Sequence, residues 1–338
     1  MAGTAYYHRE PRITEQKTSR LAALQGVQSA LSGVEAYQGN QLNNAEGGSP
    51  GSVVGVNLSW GSQSSTSTQT QTSNQSQGSQ LTAGNNLTIR ASEGDIRVQG
   101  SELQTGQDML LNAKRDVLLE SALNSQKLDG KNESHGSSFG VGINFGSGAN
   151  GISVNASANK GKGNEKGTGT SHTETTLNAG DNLSIVSGRD STLTGAQASG
   201  NSVKMDVGRN LTLTSEQDTD DYDAKQSNMS AGGSASPGGG SLSVSASRDK
   251  MHSTYASVQE QTGIFAGKGG FDVTVGEHTQ LNGAVIGSTA DAGKNKLDTG
   301  ALGFKDIENS AEYKVEHQSV GSQFLGMWRT VPTVHANI

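Results

Sequence analysis

The side chains able to act as ligands or catalysts are few and poorly placed. The chain has 338 residues, no cysteine and seven histidines. Without cysteine there is no disulfide, no thiolate metal site and no cysteine nucleophile. The histidines are scattered, and no His-x-x-x-His or His-Glu pair sets the spacing of metal ligands. His278 stands where related phrases carry Asn86, Asn182 and Asn210, so it reads as a turn residue. Asp218, Asp220, Asp221 and Asp223 form the densest acid cluster and could offer hard oxygens to Ca²⁺. They lack the fixed Gly and distal Glu of a calcium loop, which favours a solvated loop. Gly267-Lys268-Gly269-Gly270 lacks the Gly-Lys-Ser/Thr ending and following helix of a phosphate loop. No local motif signals a Ser/His/Asp constellation. The sequence therefore assigns no catalytic, cofactor-binding or metal-binding residue, calls for no cofactor, and points away from an enzyme.

What the chain does contain is one phrase written five times. Residues 83–89, 179–185 and 207–213 each place Gly, then Asn two residues on, then alternating apolar residues; looser copies stand at 113–119 and 275–281. Each joins a turn to a short strand, and Gly84, Gly180, Gly208 and Gly276 are expected to take positive φ there. Strand starts fall roughly 8 to 13 residues apart, so two steps give about 20 residues. Such short strands bury no face alone, and crossover helices are missing between them. Stacking coil on coil supplies the partner, which predicts an all-β solenoid. Leu87, Ile89, Leu183, Ile185, Leu211 and Leu213 are then expected to point inward in columns.

Composition agrees. Aromatic residues are 4%, hydrophobic residues 31%, and Gly supplies 47 positions, too little bulk for a sandwich or α/β core. A net charge of −7 without a basic run argues against nucleic acid as a partner. No run of 18 apolar residues is present, and residues 1–20 lack the apolar core of a signal peptide, so an exported form is expected to be part of a longer protein.

The expected organisation has a connecting segment at 1–45, with an amphipathic helix at 19–38 built on Leu21, Leu24, Val27, Leu31 and Val34. A repeat region at 46–316 holds solenoid blocks at 81–123, 177–217 and 263–309, and a tail runs over 317–338. Insertions at 46–80, 124–176 and 218–262 share alternating strand patterns and polar low-complexity returns. They read as hairpins or loops projecting from the column.

The Ala-Gly-x-Asn-Leu-x-Ile phrases and the segment Phe139-Gly140-Val141-Gly142-Ile143-Asn144-Phe145 resemble the haemagglutinin-repeat region of filamentous haemagglutinin-like exoproteins. So, above all, does the stretch from Thr262-Gly263-Ile264-Phe265 through Ile286, and its continuation from Asn295 to Phe304-Lys305-Asp306-Ile307-Glu308-Asn309 looks like the end of the second such region of contact-dependent growth inhibition proteins of Gram-negative bacteria. The resemblance implies a right-handed parallel β-helix, secretion by the two-partner route and display at the cell surface. Its implied partners are an outer-membrane transporter, engaged through an N-terminal domain lacking here, and a target cell's outer membrane or receptor. The favoured function is a non-enzymatic segment for toxin delivery. A filamentous adhesin, a polysaccharide-acting β-helix enzyme and a remnant of a larger gene are the alternatives. Val53 to Trp60, Phe139 to Phe145 and Leu242 to Ala246 are the expected membrane-facing elements, since small alternating apolar residues make weak amphipathic strands.

Overall fold

The structure, a computed structural model, describes residues 54–145 and 151–326, with side chains described over 58–143 and 151–326. The helix expected at 19–38 lies outside the described residues. The chain divides into two compact units. One, Met1–Gly55 with Asn144–Asn150, falls almost wholly outside the described residues; the other, Val56–Ile143 with Gly151–Ile338, holds nearly all of the described strands.

Strand β1 (Val54–Asn74) is followed by six coils that stack in parallel. The first coil is β2 (Gln80–Ala83), β3 (Leu87–Ala91) and β4 (Ile96–Gln99); the second is β5 (Glu102–Thr105), β6 (Met109–Ala113) and β7 (Val117–Glu120). After an excursion through β8 (Ala122–Phe145) and β9 (Gly151–Thr173), the third coil is β10 (Thr175–Ala179), β11 (Asn182–Ser187) and β12 (Ser191–Thr194). The fourth is β13 (Ala196–Val207) and β14 (Asn210–Thr214). A second excursion, β15 (Gln217–Ser236) and β16 (Gly239–Val258), precedes the fifth coil, the long β17 (Gly263–Asn282). The sixth is β18 (Val285–Ser288) and β19 (Lys296–Lys305), and β20 (Ser310–Gly326) closes the described chain.

The expected β-solenoid is therefore the fold, with Gln80 of the first coil paired to Glu102 of the second, 22 residues on. Period-two alternation sends every other side chain inward, and parallel register sets like residues over one another. Ile89, Leu111, Ile185, Met205 and Val273 form one column; Val98, Leu119, Leu193, Leu213 and Leu281 form another. Leu183, Ile185, Leu211 and Leu213 are fully buried, while Leu87 and Ile89, in the first coil and paired on one side among the described residues, are half-buried against the same core. Each full burial is worth about 1.5–3 kcal/mol.

The glycines of the repeated phrase correct one expectation. Gly84, Gly180, Gly208 and Gly276 do not have positive φ; that conformation belongs to Gly100, Gly195 and Gly283, at the corner after β4, β12 and β17, and to Gly151, Gly239 and Gly270. Three of the phrase glycines serve close approach instead. A Cβ on Gly180 would stand 2.1 Å from the carbonyl oxygen of Gly106, one on Gly208 2.3 Å from that of Gly188, and one on Gly276 2.3 Å from that of Gly208. A Cβ at any of these positions would hold adjacent coils too far apart for their hydrogen bonds. A Cβ on Gly84, in the first coil, meets nothing within 4 Å among the described residues.

A charged ladder runs up another corner. Asp95 accepts two bonds from the Arg115 guanidinium, at 3.0 and 2.7 Å, and one from the Asp116 N–H at 3.1 Å. Asp116 accepts in the same way from Arg189 and the Asp190 N–H, and Asp190 from Arg209 and the Asn210 N–H. The Arg115 hydrogen bond holds the Asp95 carboxyl below its usual value. Burial pushes the Asp116 carboxyl up, but its bonds to Arg189 and Asp190 more than offset this and leave it lowered.

The excursions pair with one another. Strands β1, β8, β9, β15, β16 and β20 form a second, six-stranded sheet, in which β9, β15, β16 and β20 pair antiparallel, with strands of 17 to 24 residues. Two coils separate successive excursions, and each complete excursion contributes two strands. Because neighbouring strands lie about 4.8 Å apart in either ladder, both sheets advance by the same distance per repeat.

Candidate interaction surface

Alternation gives the antiparallel sheet two unlike faces. One carries Gly, Ser and Asn: Ser138 bonds Ser157 at 2.7 Å, Ser230 bonds Ser245 at 2.7 Å and Ser234 bonds Ser241 at 2.8 Å, each across neighbouring strands. Lower on this face, Tyr222 covers Gly167 and donates its hydroxyl to Glu165 at 2.9 Å; burial, chiefly, pushes its phenol up.

The opposite face is apolar near the turn that joins β15 to β16. Leu242 and Val244 of β16 share rows with Phe324 and Ser322 of β20 and with Gly233 and Ala231 of β15. Ala156 and Ala158 of β9 continue these rows, with Val154 in the next row opposite Ala235, and Ser138 opposite Ser157 places Phe139 and Val141 of β8 beside Ala156 and Val154. A Cβ on Gly61 would approach that of Ser138 at 3.2 Å, so Trp60 and Leu58 of β1 alternate onto the apolar face. These side chains are open to solvent: Trp60 is 59% exposed, Leu242 51% and Phe324 63%. Exposed apolar areas of this extent mark interaction sites in soluble proteins. The described side chains of the three segments expected to face a membrane, Leu58 and Trp60, Phe139 to Ile143, and Leu242 to Ala246, thus place their apolar residues on one face of one sheet, while the side chains of 53–57 and 144–145 lie outside the described residues.

Where the excursions leave the coils, His172 is held among carboxylates. Its N–H donates to Asp218 at 3.0 Å, its ring Nδ1 lies 3.3 Å from Asp218 and its Nε2 3.7 Å from Glu216, which also accepts from Ser121. The Asp218 hydrogen bond raises the histidine above its ordinary value against the opposing effect of burial. Sequence reasoning missed this cluster, since His172 and Asp218 lie 46 residues apart.

The other candidate residues come apart. Asp221 and Asp223 alternate onto the apolar-patterned face and Asp218 and Asp220 onto the other, so the acid run is strand and not loop. His278 pairs in register with Asn210, within β17. Gly267-Lys268-Gly269-Gly270 is an irregularity in the β13–β17 pairing, where Gly270 has φ +80° and the Lys268 carbonyl accepts from Lys294. Among the described residues no group of three or more His, Asp or Glu is arranged to hold a metal ion.

A parallel solenoid with paired excursions is a repeat architecture, and residues 59–229 match the haemagglutinin repeat. The chain belongs to the haemagglutinin-repeat family. It is 58% identical over 306 residues to "Toxin CdiA" of Yersinia pestis, covering 90% of this chain and 9% of that protein. It is 57% identical over 313 residues to "Deoxyribonuclease CdiA" of Yersinia pseudotuberculosis, covering 90% and 29%, and 52% identical over 325 residues to "16S rRNA endonuclease CdiA" of Enterobacter cloacae, covering 92% and 10%. The chain thus spans less than a third of the length of each of these curated relatives. No solved structure matches. The resemblance to a contact-dependent growth inhibition exoprotein, secreted to the cell surface, is therefore met.

Proposed function

We propose that this chain is the segment of such an exoprotein that carries the toxin across the envelope of a target cell, and that it performs no catalysis itself. The solenoid is the rigid support and the apolar face of the antiparallel sheet is the working surface. The observation that carries this reading is the convergence of Trp60, Phe139, Leu242 and Phe324, from four separate strands, on one exposed face. A hydrophobic face left in water costs free energy that a lipid or apolar partner would recover. Secretion through an outer-membrane transporter and a surface receptor on the target cell are the partners this reading needs.

The test introduces Phe139→Ser, Leu242→Ser and Val244→Ser together into the complete exoprotein. Attachment to target cells and arrival of toxin inside them are scored separately. Attachment kept with delivery lost is the expected result. Unchanged delivery overturns the reading, and lost attachment makes the segment an adhesin.

A further inference from the structure

The apolar face is bordered by a belt in which cations outnumber carboxylates. Moving along the strands towards the coils, the first row beyond the apolar rows contains Lys160, opposite Met229. The second contains Lys162 and Arg248, on either side of Ser227. The third contains Lys225 paired with Lys250, and Lys131, which alternates with Gly130 on β8, joins this belt. Against these six cations stand Glu133, 3.2 Å from Lys162, and Glu316, 3.3 Å from Lys250. Lys131, Lys160, Lys225 and Arg248 have no carboxylate within ion-pairing distance among the described residues. The whole chain carries −7, so a net positive belt here runs against the overall composition.

The order of the bands is what identifies a partner. A protein partner with an acidic rim would need no fixed depth between apolar and cationic contacts. A lipid surface imposes one: acyl chains lie beneath a plane of phosphates, and lysines that flank an apolar face meet that plane. The apolar rows from Ile152 to Ala158 span about 20 Å along the strand, enough to pass the headgroups of one leaflet.

We infer that this belt binds the phosphate groups of anionic lipids while the adjoining apolar rows enter the acyl region. The inference rests on the envelope-contact reading above and specifies the lipid class. The test is flotation of the purified 338-residue chain with vesicles of phosphatidylcholine alone or mixed with phosphatidylglycerol, at low and high salt. Preferential capture by the anionic vesicles, weakened by salt, is expected. Combined Lys131→Glu, Lys225→Glu and Arg248→Glu should weaken anionic capture by about a hundredfold or more, at roughly 1 kcal/mol per cation near the surface. Combined Phe139→Ser, Leu242→Ser and Val244→Ser should abolish capture by both. Thermal unfolding of each variant checks that the coils remain folded. Equal capture of both vesicle types by the unaltered chain, or an unchanged charge-reversed variant, overturns the belt alone and leaves the envelope-contact reading standing. Capture of neither, or capture only after a target-cell protein is added to the vesicles, overturns the lipid inference in favour of a protein partner.

Discussion

Three of the four phrase glycines show how one residue type can be required for a reason that local sequence hides. Gly180 needs no special φ; it needs to be small because the Gly106 carbonyl lies beneath it. Gly180→Ala is therefore expected to destabilise the protein by about 1–3 kcal/mol through overpacking against backbone that cannot yield, whereas Gly84→Ala should be nearly neutral. Paired thermal melts of the two variants give the comparison, and equal shifts would refute the close-approach account. Leu211→Asp should cost more than about 4 kcal/mol in chemical denaturation, combining a lost apolar contact with a buried unpaired charge. The leucine columns were legible because alternation is written into five consecutive residues. Carbonyl clearance was not, since the atom that demands it belongs to another coil.

Two devices hold elements to one another, and pH separates them. His172 has its folded value raised above 6.5 by Asp218, with Glu174 and Glu216 also facing it. Its pairing therefore stabilises fully below the unfolded value and is lost as pH rises through the folded one. The native chain should lose stability relative to a His172→Gln variant as pH rises from about 6.5 through the raised folded value, measured by thermal melts on both sides of neutrality. Asp95 and Asp116 behave oppositely, being lowered in the folded state. Their contribution is present above about pH 4 and disappears as pH falls through their folded values. Arg115→Gln with Arg189→Gln should flatten the acid limb of the stability profile; an unaltered limb would assign acid sensitivity to other carboxylates. This ladder was not legible in the sequence, because each Arg bonds the acid of the previous coil. The excursions were legible as alternating strands for the same reason as the coils. Their union into one sheet was not, because Gly, Ser and Thr give no pattern that names a partner strand.

At the scale of the molecule, the repeat consists of two coils together with two strands of the antiparallel sheet. Excision of residues 122–215 joins Ser121 to Glu216, two neighbours that already share a hydrogen bond. It removes β8 to β14 as one unit, and the shortened chain should fold and melt cooperatively. Excision of 175–195, a single coil, should unfold or aggregate, because it shifts one sheet by a strand spacing that the other does not follow; equal behaviour of the two would refute the coupling. The common spacing also governs how the protein bears load. Coil strands are joined by ladders of four to six residue pairs on each face, whereas β15 and β16 share a ladder of 20 pairs. When tension acts along the direction of stacking, the long ladders share it with the short ones, so far more hydrogen bonds must yield per unit of extension than the coils alone provide. The excursions thus act as reinforcement, and a pulled chain should resist in steps of two coils.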